Sequence, residues 1–213
     1  MRIATKTYRL VIFDFDGTLA DSFPWFTGVL DQTADRFGFR RVDAAEREAL
    51  RASSSREILR RFGVPHWKLP MIAAHMRRLK AEAADRIPLF EGTGEMLRRL
   101  SEKGVQLGIV SSDAEENVRR TLGPDHAARI IHYECGASLF GKHSKLQQVL
   151  RRSGVPAGQA IYVGDEVRDA EAARAAGVAF GAVSWGYAKP EVLEAQRPAE
   201  FFASMEAIAR SIG

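Results

Sequence analysis

Two aspartates, Asp14 and Asp16, stand one residue apart and are followed at once by Gly17 and Thr18. A close carboxylate pair repels itself and is costly to take out of water. Stability gives no reason to place one at the end of an apolar run, whereas a bound metal ion or a catalytic task does. Further along come Ser111-Ser112-Asp113, then Lys142, then Gly164-Asp165 with Asp169 four residues on. Asp14, Asp16, Asp165 and Asp169, with a serine hydroxyl and a lysine around one point, describe a magnesium site that also holds a phosphate. The five histidines show no metal-ligand spacing, which argues against zinc.

Convergence requires each group to leave the same edge of a sheet. Leu10–Phe13, Val105–Val110, Ala160–Val163 and Val178–Val183 read as buried strands, and Arg129–Tyr133 as a short one. Helices are expected between them over 114–122, 144–152 and 168–176, then near 191–195 and 205–212. Strands alternating with helices predict an α/β fold with a doubly wound parallel sheet. Right-handed crossovers bring the carboxyl ends of such strands to one edge, where ligands bind.

A helix-rich stretch interrupts this alternation after the first strand. Apolar residues at helical spacing occur over 23–37, 44–50, 55–62 and 71–84, and Ser54 with Glu57 has capping-box spacing. The expected division is a core of residues 1–21 and 88–213 and a helical cap of 22–87, with hinges near 21–24 and 87–92. The net charge of +4 is uneven: the cap holds 13 basic against 8 acidic residues. That excess reads either as solvated helix faces or as an electropositive surface for an anionic ligand.

Hydrophobic residues make up 46% of the 213, ample for a core. No apolar run is long enough to span a bilayer, and no signal peptide is expected. The single cysteine, Cys135, excludes an internal disulfide and fits a reducing compartment, so the cytoplasm is the expected location. Trp25, Trp67 and Trp185 read as packing residues rather than stacking platforms for nucleic acid.

The segments Asp14-Phe-Asp16-Gly17-Thr18, Ser111, Lys142 and Gly164-Asp165-Glu-Val-Arg-Asp169 resemble, in order, spacing and strand context, the four motifs of the haloacid dehalogenase superfamily. The branch resembled has a helical cap after the first strand and includes the phosphoglycolate phosphatases. The resemblance implies that Asp14 attacks phosphorus to form an aspartyl-phosphate, and that Asp16 serves as general acid and then base. It implies magnesium held by Asp14, the Asp16 backbone carbonyl and Asp165, with Asp169 as ligand or close neighbour. Ser111, the Ser112 amide and Lys142 would hold the phosphate oxygens, and Gly17 would allow close backbone approach.

Several residues admit a simpler role. Asp113 is expected as a helix cap with Glu116, Lys145 as a first-turn surface residue, and Glu166 as a solvated loop residue in preference to a metal ligand. Thr18 is divided evenly between phosphate contact and turn. Arg56 of the cap reads either as a contact to a substrate anion or as half of a surface salt bridge with a neighbouring acid. The expected substrate is a small phosphate monoester, phosphoglycolate-like or a sugar phosphate, with the enzyme a monomer or homodimer. Two alternatives stand beside it. One is a β-phosphoglucomutase-like phosphotransferase, prompted by Ser55-Arg56-Glu57. The other is a regulatory or nucleic-acid-binding protein using the basic cap.

Overall fold

The computed structural model describes residues 7–43, 46, 48–49, 51, 55–136 and 141–212, with the backbone alone described at 55–57. The expected helix over 44–50 and the Ser54–Glu57 capping box fall largely outside these residues, as does the side chain of Arg56.

Six parallel strands form the core: β1 (Leu10–Phe13), β2 (Gln106–Val110), β3 (His132–Glu134), β4 (Ala160–Gly164), β5 (Ala179–Val183) and β6 (Glu200–Phe202). Their order across the sheet is β3-β2-β1-β4-β5-β6. The chain thus winds outward from β1 in both directions, the doubly wound pattern expected. Phe13 pairs with Ile109 on one side and with Val163 on the other. This register brings the residues that follow β1, β2 and β4 to the same edge at the same height.

The helices are α1 (Phe23–Phe37), α2 (Ser55–Arg61), α3 (Leu69–Ala83), α4 (Thr93–Glu102), α5 (Glu115–Ala127), α6 (Lys142–Ser153), α7 (Val167–Ala176), α8 (Pro190–Glu194) and α9 (Met205–Ser211). Period-two alternation along the strands feeds two apolar layers. Val11, Phe13, Leu107, Ile109 and Val163 meet Met96, Leu97 and Leu100 of α4, Val118 of α5 and Ile208 of α9. Leu10, Ile12, Tyr162 and Ala182 face the other way, toward Leu146 and Val149 of α6, Ala173 of α7 and Leu193 of α8. Such fully buried strands explain why they read as unbroken apolar runs.

In the insertion, α1 and α2 share a small core of Leu30, Val42 and Phe62, while Ala83 of α3 reaches the main core. The two connectors to this insertion run side by side. Asp21 donates its amide to the Pro88 carbonyl and Phe90 to that of Leu19, both at 2.9 Å. No helix among the described residues is long and apolar enough to cross a membrane.

Two strand expectations need correction. β3 begins at His132 rather than at 129, and β6 was not anticipated. Both are three-residue edge strands with no continuous apolar run to announce them. The expected end of α5 at Leu122 corresponds to a break inside it: Gly123 has φ +73°, and a second helical stretch restarts at Pro124.

Candidate active site

Asp14 follows β1 directly, its amide donating to the Val163 carbonyl at 2.8 Å, and its side chain is buried. A carboxylate there needs a counter-charge, and α6 supplies one. The helix starts at Lys142 itself, two residues earlier than expected. Lys142 Nζ donates to Asp14 Oδ2 at 2.6 Å and also to Asp169 Oδ1. Burial is the largest influence on Asp14; Lys142 opposes it and Asp169 reinforces it, and the carboxyl is pushed up to about 6. Burial pulls Lys142 down, but Asp14 and Asp169 outweigh it and hold the ammonium above its ordinary range.

The turn after β4 is tied through Asp169. Its Oδ2 accepts from the amides of Asp165 and Glu166, at 3.2 and 3.0 Å. Its Oδ1 accepts from Tyr162 Oη at 3.0 Å as well as from Lys142. Burial pulls Asp169 upward, but Lys142 and Arg168 together hold its carboxyl below the usual range. Glu166 is not the solvated loop residue expected. It caps α7 in a reciprocal box with Asp169 and pairs with Arg168.

Asp14, Glu166 and Asp169 each bring a carboxylate oxygen within 4.8 Å of the others. Three hard oxygen donors of this kind fit a divalent cation such as magnesium. This trio differs from the set expected from sequence. Asp165 turns the other way: its Oδ1 accepts from Thr18 Oγ1 at 2.7 Å and its Oδ2 from the Tyr187 amide at 2.8 Å. It is fully buried, which raises its pKa well above the ordinary value, with Glu166 and Asp14 adding to the effect. A Cβ on Gly17 (φ +79°) would lie 2.3 Å from Asp165 Oδ2, and one on Gly186 2.1 Å from Asp165 Cβ. Both glycines therefore make room for this carboxylate. The Thr18 hydroxyl donates to Asp165 and its carbonyl accepts from Trp185 Nε1 at 3.1 Å, contacts that go with the turn-positioning role of the two expected for it.

Ser111 is buried after β2, where its Oγ accepts from the Asp113 amide at 3.1 Å. Ser112 is exposed beside it. Lys145 is half-buried rather than a surface residue. It donates to the carbonyls of Ser111 and Gly136, both at 2.7 Å, so it clamps the Ser111 turn. Asp113 and Glu116 form no capping box, since α5 is capped at Ala114 without a side-chain bond. Asp113 is buried instead, its Oδ1 accepting from the Ala114 amide at 2.7 Å and from Asn117 Nδ2 at 2.9 Å.

Sequence reasoning missed the partner of Asp16. Lys80 of α3 donates to both oxygens of the Asp16 carboxylate, and its Nζ stands 2.8 Å from Asp113 Oδ2. Burial lowers the Lys80 pKa, but Asp16 and Asp113 outweigh it and raise it overall. A signal existed: Lys80 continues the inward stripe of Ala73, Met76 and Ala83 at helical spacing, where an unpaired lysine would be costly. Arg51 also grips the core, its Nε donating to the Tyr187 carbonyl at 3.0 Å and its Nη2 to that of Gly186 at 2.9 Å.

These groups open into a cavity of about 350 Å³ lined by Asp14, Asp16, Ser112 and Arg168 of the core and by Met76, Arg77 and Lys80 of the insertion. A second cavity, about 510 Å³, lies against the connectors at Asp21 and Pro88 and has no such convergence of carboxylates. The first is therefore the candidate site.

The profile of the haloacid dehalogenase-like hydrolases matches residues 11–183. Phosphoglycolate phosphatase of Synechococcus elongatus is 33% identical over 191 residues, covering 89% of this chain and 90% of that protein. The phosphoglycolate phosphatase of Xanthomonas campestris is 29% identical, covering 84% of each chain. Among solved structures, that of a putative phosphoglycolate phosphatase from Lactobacillus plantarum superposes with a TM-score of 0.84 at 23% identity, covering 97% of this chain and 100% of that one. By profile, relatives and fold, this chain belongs to the haloacid dehalogenase-like hydrolase family, as a phosphoric monoester hydrolase of the phosphoglycolate phosphatase-like kind.

Proposed function

We propose that the protein hydrolyses a small phosphate monoester, phosphoglycolate or a close analogue, through an aspartyl-phosphate on Asp14, with magnesium as cofactor. The observation that carries this reading is the contrast between two neighbouring carboxylates. Asp14 is buried against Lys142 at the sheet edge, while Asp16 is more open and meets a cation from the insertion. Different surroundings suit different roles, one for attack and one for proton transfer.

An Asp14 carboxylate oxygen attacks phosphorus, and the bond from phosphorus to the ester oxygen breaks. Asp16 gives that oxygen its proton, so the alcohol leaves neutral. Asp16 then takes a proton from water, the water oxygen attacks phosphorus, and the bond to Asp14 breaks to release phosphate. Lys142 holds Asp14 in place and adds positive charge beside the transferring group; Ser111, the Ser112 amide and Gly17 receive its oxygens. Magnesium, bound to Asp14 with Glu166 and Asp169, would neutralise the repulsion between carboxylate and phosphate. The insertion of residues 22–87 acts as a cap that closes this site against water. We place the reaction in the cytoplasm.

Phosphate release across a panel of phosphate esters, 2-phosphoglycolate included, tests the reading. Turnover is expected with magnesium and is lost with EDTA. Asp14→Asn is expected to lower kcat by roughly 10³-fold or more, the scale seen when a nucleophile is removed. Hydrolysis persisting in Asp14→Asn would sink the assignment.

A further inference from the structure

One wall of the cavity is a single helix face. Ala73, Met76, Arg77 and Lys80 of α3 follow i, i+3, i+4, i+7 spacing, and all four line it. The charges around the rest of the cavity are committed. Lys80 meets Asp16 and Asp113, Asp14 meets Lys142, and Arg168 meets Glu166. The Tyr187 hydroxyl shares its hydrogen bond with Ser22. Arg77 differs from all of these: its half-buried side chain lines the cavity, and no hydrogen bond or ion pair joins it to any described residue.

We propose that Arg77 is the specificity-determining residue that reads the carboxylate on the leaving alcohol. This rests on the reading of the site as a phosphatase. The ester oxygen must lie at Asp16, which protonates it, and Lys80 ends there. Arg77 is three residues back along α3, roughly 4.5 Å along the helix axis. A leaving group that starts at Asp16 and follows the helix meets the guanidinium within a few bonds. The planar fork of Arg matches a carboxylate in two parallel hydrogen bonds, a geometry lysine cannot copy.

The remaining lining favours an acid over a sugar. Trp25, Phe26, Ala73 and Met76 present carbon to the space between the core and Arg77. Sugar hydroxyls held against such a surface would lose water without gaining partners, which is costly for each group. A short acid carries one polar group beyond its phosphate, and Arg77 is placed to take it.

The test compares two ligands of similar size, 2-phosphoglycolate and 2-hydroxyethyl phosphate. Calorimetric binding is measured in magnesium on Asp14→Asn, with Arg77 intact, Arg77→Gln or Arg77→Lys; steady-state hydrolysis is measured in the Asp14 background. With Arg77 intact, the carboxylate ligand is expected to bind about 10- to 100-fold more tightly, the scale of a charged hydrogen-bonded pair. Arg77→Gln is expected to collapse that ratio to about threefold or less, mainly through KM in the kinetics, and Arg77→Lys to restore part of it. A ratio unchanged by Arg77→Gln, or equal weakening of both ligands, overturns the assignment. If neither ester is hydrolysed while binding still discriminates through Arg77, the phosphatase reading falls and the Arg77 assignment stands.

Discussion

The two walls of the candidate site are built differently. On the core wall, Asp14, Ser111 and Asp165 leave the ends of β1, β2 and β4, whose register is fixed by pairing across the sheet. Their side chains are buried and partnered, Asp14 by Lys142, Ser111 by the Asp113 amide and Asp165 by Thr18 and the Tyr187 amide. On the insertion's wall, every charged group comes from one face of α3, with Trp25 and Phe26 of α1 beside it, and α3 packs on α1, where Thr33 Oγ1 donates to Met76 Sδ at 3.3 Å. On the proposed reading, chemistry common to all phosphate esters sits on the core wall, and the choice among esters falls to the helix. Lys80 crosses between the two, because it comes from the insertion yet serves core carboxylates.

If the walls are as distinct as this, the largest stability effect away from the core should come from the residue that joins them. Lys80→Met removes a buried cation and leaves Asp16 facing Asp113. The side chains of Lys80 and Asp113 are 8% and 2% exposed, so solvent screens them little. Breaking a buried pair from one side typically costs about 3–5 kcal/mol, and that loss is expected in denaturant unfolding. Lys80→Met with Asp113→Asn should recover part of it, since the second change removes the stranded charge. A loss below about 1 kcal/mol would mean that Lys80 belongs to the outer wall after all.

A metal-ion experiment sharpens the comparison from the core side. Asp14 has a folded pKa of about 6, above its ordinary 3.8, so its protonation stabilises the metal-free fold fully below about pH 4. That contribution is lost as pH rises through 6, and the raised Asp165 acts in the same direction. Asp169, held low, works oppositely and loses its contribution only as pH falls. Magnesium should therefore stabilise the protein more at pH 8 than at pH 5, because at pH 5 Asp14 must first release a proton. Apparent magnesium affinity is expected to fall up to about tenfold per pH unit below 6, read as the shift in Tm on adding the ion. An affinity flat from pH 5 to 8 would take Asp14 out of the metal site.

The same division decides what could be read from sequence. The strands β1, β2, β4 and β5 were legible because buried parallel strands are unbroken apolar runs, and each ends in a polar residue or glycine. The core residues Asp14, Asp16, Ser111, Lys142, Asp165 and Asp169 were legible because they follow those strands or open the next helix. Lys80 was not, since its burial depends on Asp16, 64 residues away. Lys145 and Glu166 were misread for a related reason. Their local setting, a helix start, looks solvent-facing, but neighbouring turns fold over them. The orientation of Asp165 toward Thr18 and Tyr187 depends on Gly17 and Gly186 meeting across the fold, which spacing alone does not reveal.

The smallest effect is expected at Arg51, one of several further bridges from the insertion to the core. Its guanidinium donates to the Tyr187 and Gly186 carbonyls, and the Lys189 amide donates to its carbonyl at 3.1 Å. The Tyr187 amide in turn holds Asp165, so Arg51 braces the loop behind that carboxylate without touching it. Its side chain is one quarter exposed and lies over the Phe23 ring at 5.5 Å, which leaves water free to replace part of what is lost. Arg51→Ala should therefore lower kcat/KM only about 3- to 10-fold, in line with the net worth of one or two hydrogen bonds. Hydrogen exchange in the loop 184–189 should speed up while exchange in β4 does not. A loss in denaturant unfolding matching that of Lys80→Met would show that the insertion is held to the core as strongly through this loop as through Lys80; unchanged exchange in the loop would mean that Arg51 does not brace it.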